Sequence, residues 1–203
     1  MGCFWGAEAL FGGVAGVRRT SVGFAGGASQ APTYRSIGDH IETVLVEFDP
    51  QIVSYQALLE VFWSGHDPSR NPWMNQYRSM IFPVDSGQKR RAERAVSEAR
   101  ASRDGAVLTE VRPIEVFHPD RTYHSKYYLR NIKPLWTRVI QAFGSKQSAL
   151  DSTVAARLNA WAGGKAEGED ALAAIEESNL SPQAAASLRA ALPEGGEEQD
   201  ADK

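Results

Sequence analysis

One cysteine stands among 203 residues. No disulfide can close within this sequence, so Cys3 is either a buried small hydrophobe or a reactive thiol. Long apolar runs are missing as well. Ile41 to Phe48 is broken by Glu and Thr and falls far short of the roughly 20 residues a bilayer requires, so no membrane association is expected. No charged segment followed by an apolar stretch opens the sequence, which speaks against a secretory leader and makes the cytoplasm the expected location. An excess of one charge is also lacking, the net being −3. It is unevenly spread: residues 151–203 carry four Lys or Arg against eleven Asp or Glu, a balance of −7, and residues 1–150 are +4. That basic balance is too weak to imply nucleic acid, and neither zinc-knuckle spacing nor an RNP-like aromatic strand occurs. His, Cys and carboxylates never fall at metal-ligand spacing, so no metal site and no cofactor is expected.

What is present suffices for a globular fold, with 42% hydrophobic and 23% charged residues. Helix formers after Cys3 predict a helix opening at or just after that residue and broken by Gly12, Gly13 and Gly16. Alternation predicts strands at Thr20 to Ala25 and at Ile41 to Phe48, the latter stopped by Asp49-Pro50. Ser54 opens a helix over Tyr55 to Ser64, and an aromatic, polar loop leads to a strand over Tyr77 to Pro83. A basic amphipathic helix over Gly87 to Ser102 follows, then strands over Val107 to Pro113 and Ile114 to Phe117. Tyr123 to Trp136 reads as a helix that Pro134 interrupts. This mixture indicates an α+β fold. The charge asymmetry and the short Ala-rich helical patterns after Gly144 suggest a domain over 1–145, a helical appendage over 150–193 dispensable for chemistry, and a disordered acidic tail over 194–203.

Among residues able to do chemistry, Cys3 sits at a helix start, where backbone N–H groups and the helix dipole would lower a thiol pKa. Phe4 and Trp5 offer an apolar wall beside the sulfur. Glu42 shares a strand face with Val44 and Val46. If that face is buried, its carboxyl keeps a proton near neutral pH and can act as a general acid. His40 or His124 could instead pair with Cys3 as the base of a Cys-His hydrolase, although neither carries such a family's local signature. Tyr77 and Tyr127 carry hydroxyls able to donate to an oxygen. Met1-Gly2-Cys3 resembles a dual acylation site, but position 6 is Gly and no polybasic stretch follows.

Gly-Cys-Phe-Trp-Gly-Ala-Glu at 2–8, Gly-Phe-Ala-Gly-Gly at 23–27, Pro-Thr-Tyr at 32–34, Gly-Asp-His-Ile-Glu at 38–42, Phe-Trp-Ser-Gly-His-Asp-Pro at 62–68, Gln-Tyr-Arg-Ser at 76–79 and Tyr-His-Ser-Lys-Tyr at 123–127 resemble, in that order, the motifs of the A-type methionine sulfoxide reductases. The resemblance covers about residues 1 to 140 and implies a two-layer α/β sandwich with a mixed central sheet. It implies Cys3 as nucleophile, Glu42 as the acid that protonates the sulfoxide oxygen, and Phe4, Trp5, Phe24, Tyr77, His124 and Tyr127 around the substrate. Phe24 stands where the family usually has tyrosine, and Pro72 where an acidic residue is often found, so the polar side of the pocket is thinner. The strand that normally precedes the cysteine has no counterpart after Met1.

The implied reaction reduces methionine S-sulfoxide, free or in oxidised proteins, to methionine and leaves Cys3 as a sulfenic acid. With no second cysteine here, an external thiol (glutathione, glutaredoxin or thioredoxin) is the expected reductant. The alternative within the family is a weakly active sulfoxide-binding or redox-sensing module.

Overall fold

The computed structural model describes residues 1–192; the expected acidic tail over 194–203 lies outside them. The first helix, α1 (Phe4–Gly12), starts directly after Cys3. It leads into β1 (Val17–Ala25), which pairs antiparallel with β2 (Ile41–Phe48) and sets Phe24 opposite Glu42. β2 runs over the residues its alternation predicts, and β1 starts three residues earlier than expected. Next comes α2 (Tyr55–Ser64), capped by the Ser54 side chain, which accepts from Ala57 N–H at 3.1 Å.

The expected strand over Tyr77 to Pro83 is shorter. Asn75–Tyr77 form a single 3₁₀ turn, and only Met80–Ile81, β3, pair as a strand. After α3 (Ser86–Ser102), the expected Val107 to Pro113 strand likewise contracts to β4 (Glu110–Val111), parallel to β3. Its bonds nevertheless continue at even spacing, Glu110 to Ser79, Arg112 to Ile81 and Ile114 to Pro83, as in a parallel ladder that frays beyond two residues. The strand expected over Ile114 to Phe117 lies later, at β5 (Phe117–Pro119), which pairs with β1.

Helix and sheet are thus mixed, but the sheet is in two pieces, β2-β1-β5 and β3-β4. A cavity of about 190 Å³ separates them. Consecutive residues 41–46 of β2 line it together with 80–82; side chains alternate faces along a strand, so the cavity meets both strands edge-on.

The expected Tyr123 to Trp136 helix is two helices, α4 (Tyr127–Asn131) and α5 (Lys133–Phe143), with Pro134 in the first turn of α5, where its missing N–H costs nothing. Lys126, directly before α4, holds a left-handed backbone at φ 54. Then follow α6 (Lys146–Leu150), α7 (Thr153–Ala162), α8 (Gly168–Glu176) and α9 (Pro182–Arg189). These helices exist as expected, but α7 does not hang from the rest as an appendage. Val154, Ala155 and Leu158 share one core with Leu129 of α4 and with Leu135 and Val139 of α5. Buried Arg157 donates to the carbonyls of Gly12 and Val17. Gly12 is glycine for a packing reason: a Cβ there would meet the Ala156 carbonyl oxygen at 2.6 Å. The change in composition near 150 therefore does not coincide with a break in packing. Among the described residues, no helix is long and apolar enough to cross a membrane.

Candidate active site

Three segments distant in sequence converge on the start of α1. Gly2 turns the chain with φ 80, a conformation that L side chains rarely adopt, and Cys3 is the exposed N-cap residue. The first backbone N–H groups of a helix have no partner within it. Here Phe4 N–H donates to Glu42 Oε2 at 3.0 Å, and buried Gln76 donates to Glu42 Oε1 at 2.9 Å. Glu42 also lies beside the Cys3 thiol, close enough for the two groups to shift each other's pKa. The carboxyl is 7% exposed. Burial pushes its pKa up, against the lowering by Phe4, Gln76 and Cys3, and nearby Asp120 adds to the rise. The carboxyl is thus desolvated, with its pKa moved upward from the ordinary range.

The thiol pKa moves opposite to the expected lowering. Although Cys3 is exposed, desolvation by the protein around its sulfur raises its pKa, and the neighbouring Glu42 carboxyl raises it further. The N–H groups of Trp5 and Gly6 do lower it, as the helix start predicts, but they are outweighed. The resting sulfur is therefore a thiol that holds its proton, and the helix end alone does not ionise it.

Aromatic rings enclose this pair. Phe4 is 1% exposed, its centroid 6.0 Å from Phe24 and 5.5 Å from His124. Phe24, expected to touch substrate, lies buried behind Phe4 as its support. Trp5 stacks on Tyr127 with centroids 3.6 Å apart and planes 2° from parallel, and its Nε1–H donates to His124 Nδ1 at 3.1 Å. The His124 pKa is lowered, chiefly by burial, so the ring is neutral and suited to accept that bond. His40 is also committed: Nδ1 accepts from Gly27 N–H at 3.2 Å, and Nε2 meets the Ser29 carbonyl at 2.8 Å. With both histidines so engaged, the geometry offers no histidine base aimed at Cys3, and the hydrolase reading loses its support. Among the described residues, no group of three or more His, Cys, Asp or Glu could hold a metal ion.

Two residues at the site were not singled out from the sequence. Tyr34 places its ring 6.4 Å from Phe4 and 4.2 Å from His124, and its hydroxyl lies near that of Tyr77. Partial burial, then the nearby Tyr77, push the Tyr34 pKa up to about 12, so it remains a donor. Tyr77 thus reaches the pocket through Tyr34. The signal was the Pro-Thr-Tyr motif itself. Gln76 was equally visible as the neighbour of Tyr77, but its bond to Glu42 spans 34 positions, which local pattern does not reveal.

A family model described as peptide methionine sulfoxide reductase matches residues 1–155. The chain belongs to this family. Among relatives of the reductase family, a Drosophila melanogaster peptide methionine sulfoxide reductase is 39% identical over 184 residues, covering 90% of this chain and 74% of that protein. Peptide methionine sulfoxide reductase A5 of Oryza sativa is 43% identical over 170 residues, covering 80% of this chain. The match spans 65% of the rice protein's own length, just under two thirds. Among solved structures, methionine sulfoxide reductase A of Corynebacterium diphtheriae superposes with a TM-score of 0.58 at 33% identity, covering 66% of this chain and 73% of that one.

Proposed function

We propose that this chain reduces methionine S-sulfoxide to methionine, with Cys3 as nucleophile and Glu42 as proton donor. The observation that carries the reading is the Glu42 carboxyl, desolvated, held by Phe4 N–H and Gln76, and set beside the thiol. A sulfoxide sulfur becomes electrophilic when its oxygen is protonated. Neutral Glu42 gives its proton to that oxygen, with the Tyr34 hydroxyl as a second donor, and the resulting carboxylate takes the proton of the Cys3 thiol. Sulfur of Cys3 then attacks the methionine sulfur, and the hydroxyl oxygen passes to Cys3 as the methionine sulfur leaves with two electrons. The products are methionine and Cys3 sulfenic acid. Phe4 and Trp5 hold the methyl group, and Trp5 is fixed by Tyr127 and His124.

The sulfenic acid is released by an external thiol of the glutathione, glutaredoxin or thioredoxin kind. One thiol forms a mixed disulfide with Cys3 and expels water, and a second opens it. This step is supported by the single cysteine of the 203-residue sequence. The reading of a binding or sensing module is less favoured, since a buried carboxyl held beside the thiol has no evident use in binding alone.

Intact mass after one turnover with methionine S-sulfoxide and no reductant tests both parts. One methionine released per chain and a gain of one oxygen atom are expected. Methionine release without oxygen on Cys3, or an intermolecular Cys3 disulfide as the main product, would overturn the single-cysteine route.

A further inference from the structure

Single apolar residues on a protein surface need no explanation, and Ile52, Val84 and Val116 are of that kind. The exposed aromatics are not scattered. Among the described residues three aromatic side chains are exposed, Trp73 at 83%, Tyr123 at 57% and Tyr34 at 37%. All three belong to one chain of rings. Trp73 lies 6.1 Å from Tyr77, the Tyr77 hydroxyl lies near that of Tyr34, Tyr34 lies 4.2 Å from His124, and His124 lies 3.9 Å from Tyr123. His124 joins this arc to Phe4 and Trp5 beside the nucleophile. The two most open faces, Trp73 and Tyr123, are thus the ends of an arc whose middle lies beside Phe4 and Trp5.

We propose that Trp73 and Tyr123 receive the side chains flanking methionine sulfoxide in an extended polypeptide, so that the site selects oxidised segments with bulky apolar neighbours. The inference rests on the reductase reading for its central residue and adds the flanking subsites. An extended chain advances about 3.3 Å per residue, so side chains one or two positions away come within reach of the outer rings. Trp73 is the stronger determinant, because its indole is almost wholly in water and gains most from being covered. Its place two residues before the Asn75–Tyr77 turn, with its ring 6.1 Å from that of Tyr77, couples it to the segment that carries Gln76 and Tyr77.

The test compares the blocked peptides acetyl-Gly-Gly-Met(O)-Gly-Gly-amide and acetyl-Gly-Phe-Met(O)-Phe-Gly-amide. The parent protein should favour the phenylalanine peptide by about tenfold in kcat/KM, carried by KM, and Trp73→Ala should reduce that ratio to about twofold or less. Equal kcat/KM for the two peptides in the parent, or an equal loss on both in Trp73→Ala, would overturn the proposal. Calorimetric binding of the same peptides to Cys3→Ser must show the same preference and its loss when Trp73→Ala is added. Should no peptide be reduced by any form, the reductase reading falls, and the calorimetric ratio alone still decides for or against the flanking subsites.

Discussion

The Glu8 carboxylate and the Lys126 ammonium meet at 2.6 Å with neither side chain more than 1% exposed. The ammonium also donates to the Thr20 carbonyl at 2.7 Å and to its hydroxyl at 3.1 Å, and Lys126 N–H donates to the second Glu8 oxygen at 2.7 Å. α1 is thereby tied to the segment carrying His124 and Tyr127. Removing one partner strands the other charge in the interior, at a cost of about 3–5 kcal/mol. Lys126→Met and Glu8→Gln should each lose stability of that order in urea unfolding, and the double variant should lose less than the sum. Strict additivity would mean that the two charges do not depend on each other.

Glu42→Gln should uncouple thiol reactivity from catalysis. The neighbouring Glu42 carboxyl raises the thiol pKa. Without it the thiol ionises more readily, and alkylation by iodoacetamide near neutral pH should accelerate. Sulfoxide reduction should nevertheless fall by about 10²–10⁴, since an amide transfers no proton. In the parent, kcat should decline as pH rises through the raised Glu42 pKa, and this limb should vanish in the variant. Stability follows with a definite sign. The folded protein holds the Glu42 proton more tightly than the unfolded chain, so stability is full below the unfolded value and is lost as pH rises through the folded one. The Tm of Glu42→Gln relative to the parent should therefore rise as the pH climbs above about 4, the ordinary glutamate value. Faster alkylation together with undiminished reduction would show that Glu42 is not the acid.

The contrast between β2 and the Glu8–Lys126 pair explains what could be read from the sequence. β2 alternates and is stopped by Asp49-Pro50, and α2 is announced by Ser54, so both are local patterns and both occur over the residues read. β3 and β4 depend on each other across some 30 positions, and neither alternates strongly enough to mark its ends. At the site, Cys3 and Glu42 were legible because each belongs to a recognisable motif and a predicted element. Tyr34 lies in a loop without periodicity. The raised thiol pKa was illegible because the helix start argues one way and Glu42, 39 positions on, decides the other way.

Tyr34→Phe and Tyr77→Phe should differ. Tyr34 stands against Phe4 and His124, whereas the Tyr77 hydroxyl lies near that of Tyr34 from outside. Losing a donor aimed at developing charge costs about 10²–10³ in kcat, and that is the expectation for Tyr34→Phe. Tyr77→Phe removes only the support of Tyr34 and should cost about tenfold or less. Parallel single-turnover rates measure this, and a larger loss in Tyr77→Phe would place Tyr77, and not Tyr34, against the sulfoxide oxygen.

A chain cut after Gly144 should fail to fold, contrary to what the acidic, Ala-rich composition beyond that point suggests. α7 supplies Val154 and Leu158 to the core around Leu129 and Leu135, and Leu129 follows Tyr127 in the helix that positions the Trp5 stack. Arg157 reaches across to the carbonyls of Gly12 and Val17, which end α1 and begin β1. Removing α7 strips one side of α1 and leaves large apolar side chains in water, at about 1.5–3 kcal/mol each. Near-ultraviolet circular dichroism should lose its aromatic signal and unfolding should lose cooperativity. A milder probe of the same contact is Gly12→Ala, whose Cβ would press on the Ala156 carbonyl and should cost about 1–3 kcal/mol. If the shortened chain unfolds cooperatively and reduces sulfoxide at the parent rate, the packing of α7 on α1 has no part in building the site.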